Sequence, residues 1–134
     1  MTHSLLLIVI RYFLGVLFMA TGIGKLLVIA TYQLAIPEDL LLLLALSIAL
    51  LEFTIALNLL RGRRLQSNVL ATLCLHIAYT ALAVTTLLRG ILIENCGCFG
   101  AFLARPLRWS SVAEDVTLTA VGALGLALLR AVKT

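Results

Sequence analysis

Residues 40–64 read LLLLLALSIALLEFTIALNLLRGRR. From about Leu40 to Leu60 one ionisable residue, Glu52, interrupts an otherwise uncharged, strongly apolar run. About 20 such residues in a helix cross the ~30 Å hydrocarbon layer of a bilayer, so the stretch reads as a membrane span. The basic turn that follows, Arg61-Gly62-Arg63-Arg64, stops it abruptly.

Three further stretches match it on either side: about Leu5–Ala30, interrupted by Arg11 and Lys25, then Val69–Leu88 and Val112–Ala131. The first is too long for the ~7–15-residue apolar segment of a cleaved signal, so it reads as a helix that stays in the membrane. Composition agrees. The 134 residues are 63% hydrophobic and 12% charged. A water-soluble domain needs roughly 25% charged residues to cover itself, so lipid is the solvent implied. The expected fold is all-α: one domain over residues 1–134, an integral membrane bundle of four helices. A net charge of +4 would suit nucleic acid, but the basic residues cap apolar runs and form no stripe with aromatics. Nucleic acid is therefore excluded as a partner.

Positive charge marks the cytoplasmic side of membrane helices. Arg61, Arg63 and Arg64 place the second connection inside, and an even number of spans brings both termini to the cytoplasm. The expected location is a cell's inner (plasma) membrane, with connections one and three outside. In the first, Pro37 with Glu38 and Asp39 suits a helix start. The third, about residues 89–111, holds Glu94-Asn95-Cys96-Gly97-Cys98-Phe99-Gly100.

Cysteines at i and i+2 can meet the Cα separation of ~4.4–6.8 Å that a disulfide requires. Gly97 frees the backbone between them. So small a ring would be strained, and strained, exposed disulfides are the easily reduced ones. The outer face is also the oxidising one in bacteria. Residue type, spacing and compartment point to thiol–disulfide exchange at Cys96 and Cys98. Arg105 and Arg108 would favour a thiolate, and Asp115 would accept or move its proton. Soft-metal binding is the chemical rival. A closed zinc site needs four ligands, and neither a second cysteine pair nor a nearby histidine completes one, so no metal site is assigned. Cys74 lies ~22 Å from the outer end, too deep to exchange with the pair, and reads as a small buried residue.

A carboxylate inside a span is costly unless paired or protonated. Glu52 is expected to clamp helices together through Arg11 or His76, forming a polar network with them. Proton handling and headgroup binding are its functional alternatives. Ser111-x-x-Glu114 fits a capping box opening the fourth span.

These residues resemble the MauE-type proteins of methylamine utilisation, within the broader DoxX-like group of four-span membrane proteins. Arg11-Tyr12-x-Leu14-Gly15-x-x-Phe18 and Gly22-x-x-Lys25 are similar to the family's first span. Glu52 with the following arginine-rich turn is similar to its second. Cys96-Gly97-Cys98-Phe99-Gly100 matches its most specific motif, and the segment from Pro106 to Asp115 its entry to the last span. The resemblance implies maturation of a periplasmic redox enzyme, methylamine dehydrogenase in the founding case, by disulfide formation or transfer of redox equivalents. The implied partner is a thioredoxin-like or maturing redox protein. One thiol pair lacks a second redox station, so electrons would leave to a bound quinone or to a partner; no cofactor is evident. A non-enzymatic assembly factor and a soft-metal binding or transport protein are the alternatives.

Overall fold

The computed structural model describes residues 2–32, 39–92 and 106–131. Four helices occupy nearly all of them: α1 (Thr2–Tyr32), α2 (Asp39–Arg61), α3 (Leu65–Leu88) and α4 (Trp109–Ala131). Each is long and apolar enough to cross a membrane. α1, α3 and α4 extend by two or more residues past the apolar runs that mark them in the sequence. α3 begins at Leu65, a turn before Val69, and α4 at Trp109, just before Val112.

α1 packs chiefly on α2 and α3 chiefly on α4, with lighter α1–α4 and α2–α3 contacts closing the bundle. Inside lie Leu14, Phe18, Ile55, Leu59, Val69 and Leu126. Outside, Leu5, Leu43, Leu82, Ile77 and Val116 are about half exposed or more. An apolar interior under an equally apolar surface suits lipid and not water, so the chain is a multi-pass membrane protein.

The helix ends are closed by backbone geometry. At the end of α2, Gly62 takes φ 70°. Its N–H donates to Leu59 O at 3.0 Å, and the Arg63 N–H donates to Asn58 O at 2.8 Å. This is the Schellman arrangement, which a residue without a Cβ enters at no steric cost. Gly90, at φ 66°, closes α3 in the same way through Leu87 O and Thr86 O. Asn68 then ties the α2–α3 turn down by donating from its side-chain amide to Arg63 O and Arg64 O at 2.9 and 3.0 Å.

Close approach of α1 to α2 depends on Gly22. A methyl group there would sit 3.3 Å from both Ala49 O and Phe53 N, and backbone atoms cannot swing aside as side chains do. Gly22→Val is expected to lower stability by about 1–3 kcal/mol through overpacking. Thermal unfolding in detergent, compared with Gly122→Ala, whose added methyl group would stand at an ordinary 3.7 Å from Leu73, checks this.

Arg11 reports the register of the hairpin. Its guanidinium donates to Leu60 O at 3.0 Å, one of the last carbonyls of α2, where unpaired acceptors and the helix dipole favour a cation. The N-terminal end of α1 therefore lies beside the exposed Arg61–Arg64 turn. Ile10 of α1 and Val69 of α3 both approach Gly125 near the end of α4. The N-terminal part of α1, the basic turn and the C-terminal part of α4 thus share one end of the bundle. Leu92 and Pro106, the described residues on either side of the α3–α4 connection, lie toward the other end.

Candidate functional site

Glu52 is the most completely buried ionisable group described, at 1% exposure. It sits on the inner face of α2 with Ala49, Ile55, Ala56 and Leu59, at helical spacing. Its Oε1 accepts from Lys25 Nζ of α1 at 2.6 Å and from Tyr79 Oη of α3 at 2.5 Å. The Lys25 ammonium also stands 5.1 Å from the centre of the Tyr79 ring. One carboxylate therefore joins three helices. Both donors converge on the same oxygen, and Oε2 meets no hydrogen-bond donor among the described residues.

On α3, His76 and Tyr79 stand three residues apart and so share a face. His76 is buried, and its Nδ1 lies 2.9 Å from Thr72 O. A carbonyl can only accept, so Nδ1 carries the proton and a neutral ring keeps Nε2 as an acceptor. The ring meets Phe18 of α1 edge to face, with centroids 5.2 Å apart and planes at 76°. This fixes its orientation at the core of the bundle. Thr21 of α1 gives its hydroxyl proton to Phe18 O at 3.2 Å.

Asp115 completes the ring of elements from α4, at 6% exposure. Because α4 begins at Trp109, Asp115 lies nearly two turns into the helix, ~9 Å from its start. Glu52, His76, Tyr79, Asp115, Thr21 and Phe18 line a cavity of about 20 Å³, with Leu17 and Leu118 beside them. Every helix contributes a polar group to it.

Several expectations change. Glu52 bridges helices, but through Lys25 and Tyr79 and not through Arg11 or His76. The α1–α2 register explains this. Lys25 comes level with Glu52, whereas Arg11, ~21 Å further along α1, comes level with Leu60. His76 lines the same cavity as Glu52 yet bonds to its own helix; Arg11 is remote from both. Cys74 is free and exposed on the outside of α3, not buried. It lies two residues from each of Thr72 and His76, whose common inward face turns it outward.

Ser111 is not the residue that caps α4. It accepts from the Arg108 backbone N–H at 3.5 Å, while its own N–H donates to Arg108 O at 2.9 Å. Arg108 holds the capping position and Ser111 sits three residues inside. Arg108 is exposed at the helix start, away from the cavity. Asp115 is buried and lines the cavity between the helices. Cys96, Cys98 and Arg105 lie outside the described residues, as do Pro37 and Glu38. Among the described residues no three His, Cys, Asp or Glu side chains gather closely enough to hold a metal.

Lys25 and Tyr79 escape a reading of the sequence. Lys25 looks like a charge near the outer end of the first span. In the structure α1 runs on to Tyr32, which leaves Lys25 ~10 Å short of the helix end. The available signal was the three-residue spacing of Tyr79 from His76 in an otherwise apolar helix.

A family model described as "Methylamine utilisation protein MauE" matches residues 3–129, nearly the whole chain. No curated protein was found to match the chain, nor any solved structure.

Proposed function

The chain belongs to the MauE family, and from that premise we propose that it is a membrane thiol–disulfide exchange component supporting maturation of a periplasmic redox enzyme. The observation that carries this reading is Cys96-Gly97-Cys98, two thiols separated by one glycine in the connection between α3 and α4. The dense positive charge of Arg61–Arg64 at the opposite end supports a cytoplasmic assignment for that end. The termini would then be cytoplasmic, the protein would reside in the inner membrane, and the thiols would face the oxidising compartment.

In the proposed step, a partner thiolate attacks one sulfur of the Cys96–Cys98 disulfide. A mixed disulfide forms and the other cysteine leaves as thiolate. A second partner thiolate then attacks the mixed disulfide. The partner gains a disulfide, Cys96 and Cys98 become thiols, and two electrons have moved with no external oxidant. Regeneration takes a second exchange partner or a quinone as electron acceptor. Arg105 and Arg108 would stabilise the departing thiolate.

Single variants test this directly. With one cysteine replaced, the remaining thiolate can still attack the disulfide of an exchange partner, as in regeneration, and the mixed disulfide that forms has no second thiol of this chain to release it. Cys96→Ser or Cys98→Ser is expected to accumulate a covalent adduct with a periplasmic protein, seen as a reductant-sensitive band on non-reducing gels. Absence of an adduct with both variants, under conditions where the native protein functions, would overturn the exchange reading.

A further inference from the structure

We propose that the end of the bundle carrying the α2–α3 turn binds the phosphate of an anionic phospholipid, held by Arg61, Arg63, Arg64 and Arg130. The proposal depends neither on thiol chemistry nor on which side of the membrane this end faces.

Folding concentrates positive charge there. Val69 of α3 meets Gly125 of α4. Arg64 stands five residues before the one, and Arg130 five residues after the other. In antiparallel helices both then lie ~7.5 Å beyond that contact, toward the same end. Arg61 and Arg63 flank Gly62, and the Arg11 guanidinium comes within 3.0 Å of the position a Cβ would take at Gly62. Arg61, Arg63, Arg64 and Arg130 are exposed, and none pairs with an acid among the described residues. The described acids lie elsewhere. Asp39, Glu114 and Asp115 belong to the first two turns of α2 and α4, toward the opposite end. Glu52 is inside the bundle, on Lys25. Orienting a span takes positive charge of any kind. Grouped guanidinium forks without counter-ions supply more, because each can donate two parallel N–H bonds to a phosphate.

Arg64 carries the argument furthest. Its backbone is left-handed, at φ 47° and ψ 47°, and it holds the N-cap position of α3 with no side-chain capping bond. Glycine or asparagine suits a left-handed residue, and serine, threonine, aspartate or asparagine suits an N-cap. Arginine suits neither, so local structure does not account for it. A side chain kept at a cost in backbone strain, exposed in a basic turn, points to a ligand. Its charge makes that ligand an anion.

Position selects the anion. The turn joins two membrane spans, and where spans end the hydrocarbon gives way to lipid headgroups. Leu70 and Leu124 lie six residues deeper than Arg64 and Arg130 on the same two helices, and both are about half exposed. They offer acyl chains an apolar surface that free phosphate has no means to use.

The experiment uses the full chain in detergent micelles, with bound lipid counted by native mass spectrometry. Phosphatidylglycerol, phosphatidylcholine with the same acyl chains and inorganic phosphate are compared at constant ionic strength. Saturable binding of phosphatidylglycerol is expected, with phosphatidylcholine at least about tenfold weaker and no displacement by inorganic phosphate. Replacing Arg61, Arg63 and Arg64 together with glutamine is expected to weaken phosphatidylglycerol binding roughly a hundredfold, at about fivefold for each arginine. A matched variant with Arg89, Arg105 and Arg108 replaced by glutamine carries the same net charge and is expected to bind as the native chain does. If the first triple variant does not fold, Arg64→Asn serves. It relieves the strain and supplies a cap, so it is expected to keep or raise thermal stability while weakening binding about fivefold. The proposal is overturned if phosphatidylcholine binds as tightly or if inorganic phosphate displaces the lipid. It is equally overturned if the matched variant loses as much binding, or if binding is unchanged in a folded variant of the turn.

Discussion

Lys25→Met lowers the stability of the bundle by about 3–5 kcal/mol, the cost expected when one partner of a buried ion pair is removed. Lys25 is 17% exposed and Glu52 1%, and they meet at 2.6 Å. At 1% exposure the abandoned carboxylate has almost no contact with bulk solvent. Tyr79 alone would still donate to Oε1. A surface pair of the same geometry would contribute at most about 1 kcal/mol, so the size of the loss itself reports burial. The double variant Lys25→Met with Glu52→Leu is expected to recover most of the loss, because an apolar pair leaves no charge behind. Reversible unfolding in mixed micelles, run as a double-mutant cycle, measures both values. A loss near zero for Lys25→Met would mean the ammonium and carboxylate are solvated in the membrane protein.

On the proposed exchange reading, replacing Cys96 and Cys98 together with serine is expected to abolish maturation of the partner enzyme and to reduce its activity to the level of cells lacking this chain. Serine keeps the size and polarity of cysteine but cannot form or exchange a disulfide, so folding and membrane insertion are expected to stay unchanged. That separates the three readings of the loop. An assembly factor would keep partner binding and much of its function in the double variant. A soft-metal protein would show stoichiometric, thiol-dependent copper or zinc in the purified native chain. A redox protein shows neither, and loses its function with its sulfur.

The two predictions concern different parts of the molecule, and each site was legible to a different degree. Glu52 announced itself, since a lone carboxylate in an apolar run demands a partner. The identity of that partner did not follow, because Arg11 and Lys25 are both basic residues of the same span. Only the meeting of Gly22 with the backbone at Ala49 and Phe53 sets which one comes level with it. Asp115 was recognisable as an acid inside the last span, yet its place depended on where α4 starts. Three residues of extra helix, Trp109, Ser110 and Ser111, carry it further from the helix start, to the same cavity as Glu52 and His76. Cys74 and His76 show the same limit at close range. Both lie in one apolar span, and the rotation of α3 against its neighbours sends one outward and the other to the core.

Sequence alone determined that four helices of membrane-spanning length and apolarity exist and nearly where each lies. Transfer of a segment from water to lipid is a sum over its own residues and needs no knowledge of its neighbours. Tertiary structure alone decided that Lys25, Glu52, Tyr79, His76 and Asp115 share one interior. Which side chains face one another depends on the rotation, register and separation of whole helices. Those are set by packing at small residues and close contacts, distributed over elements far apart in the chain.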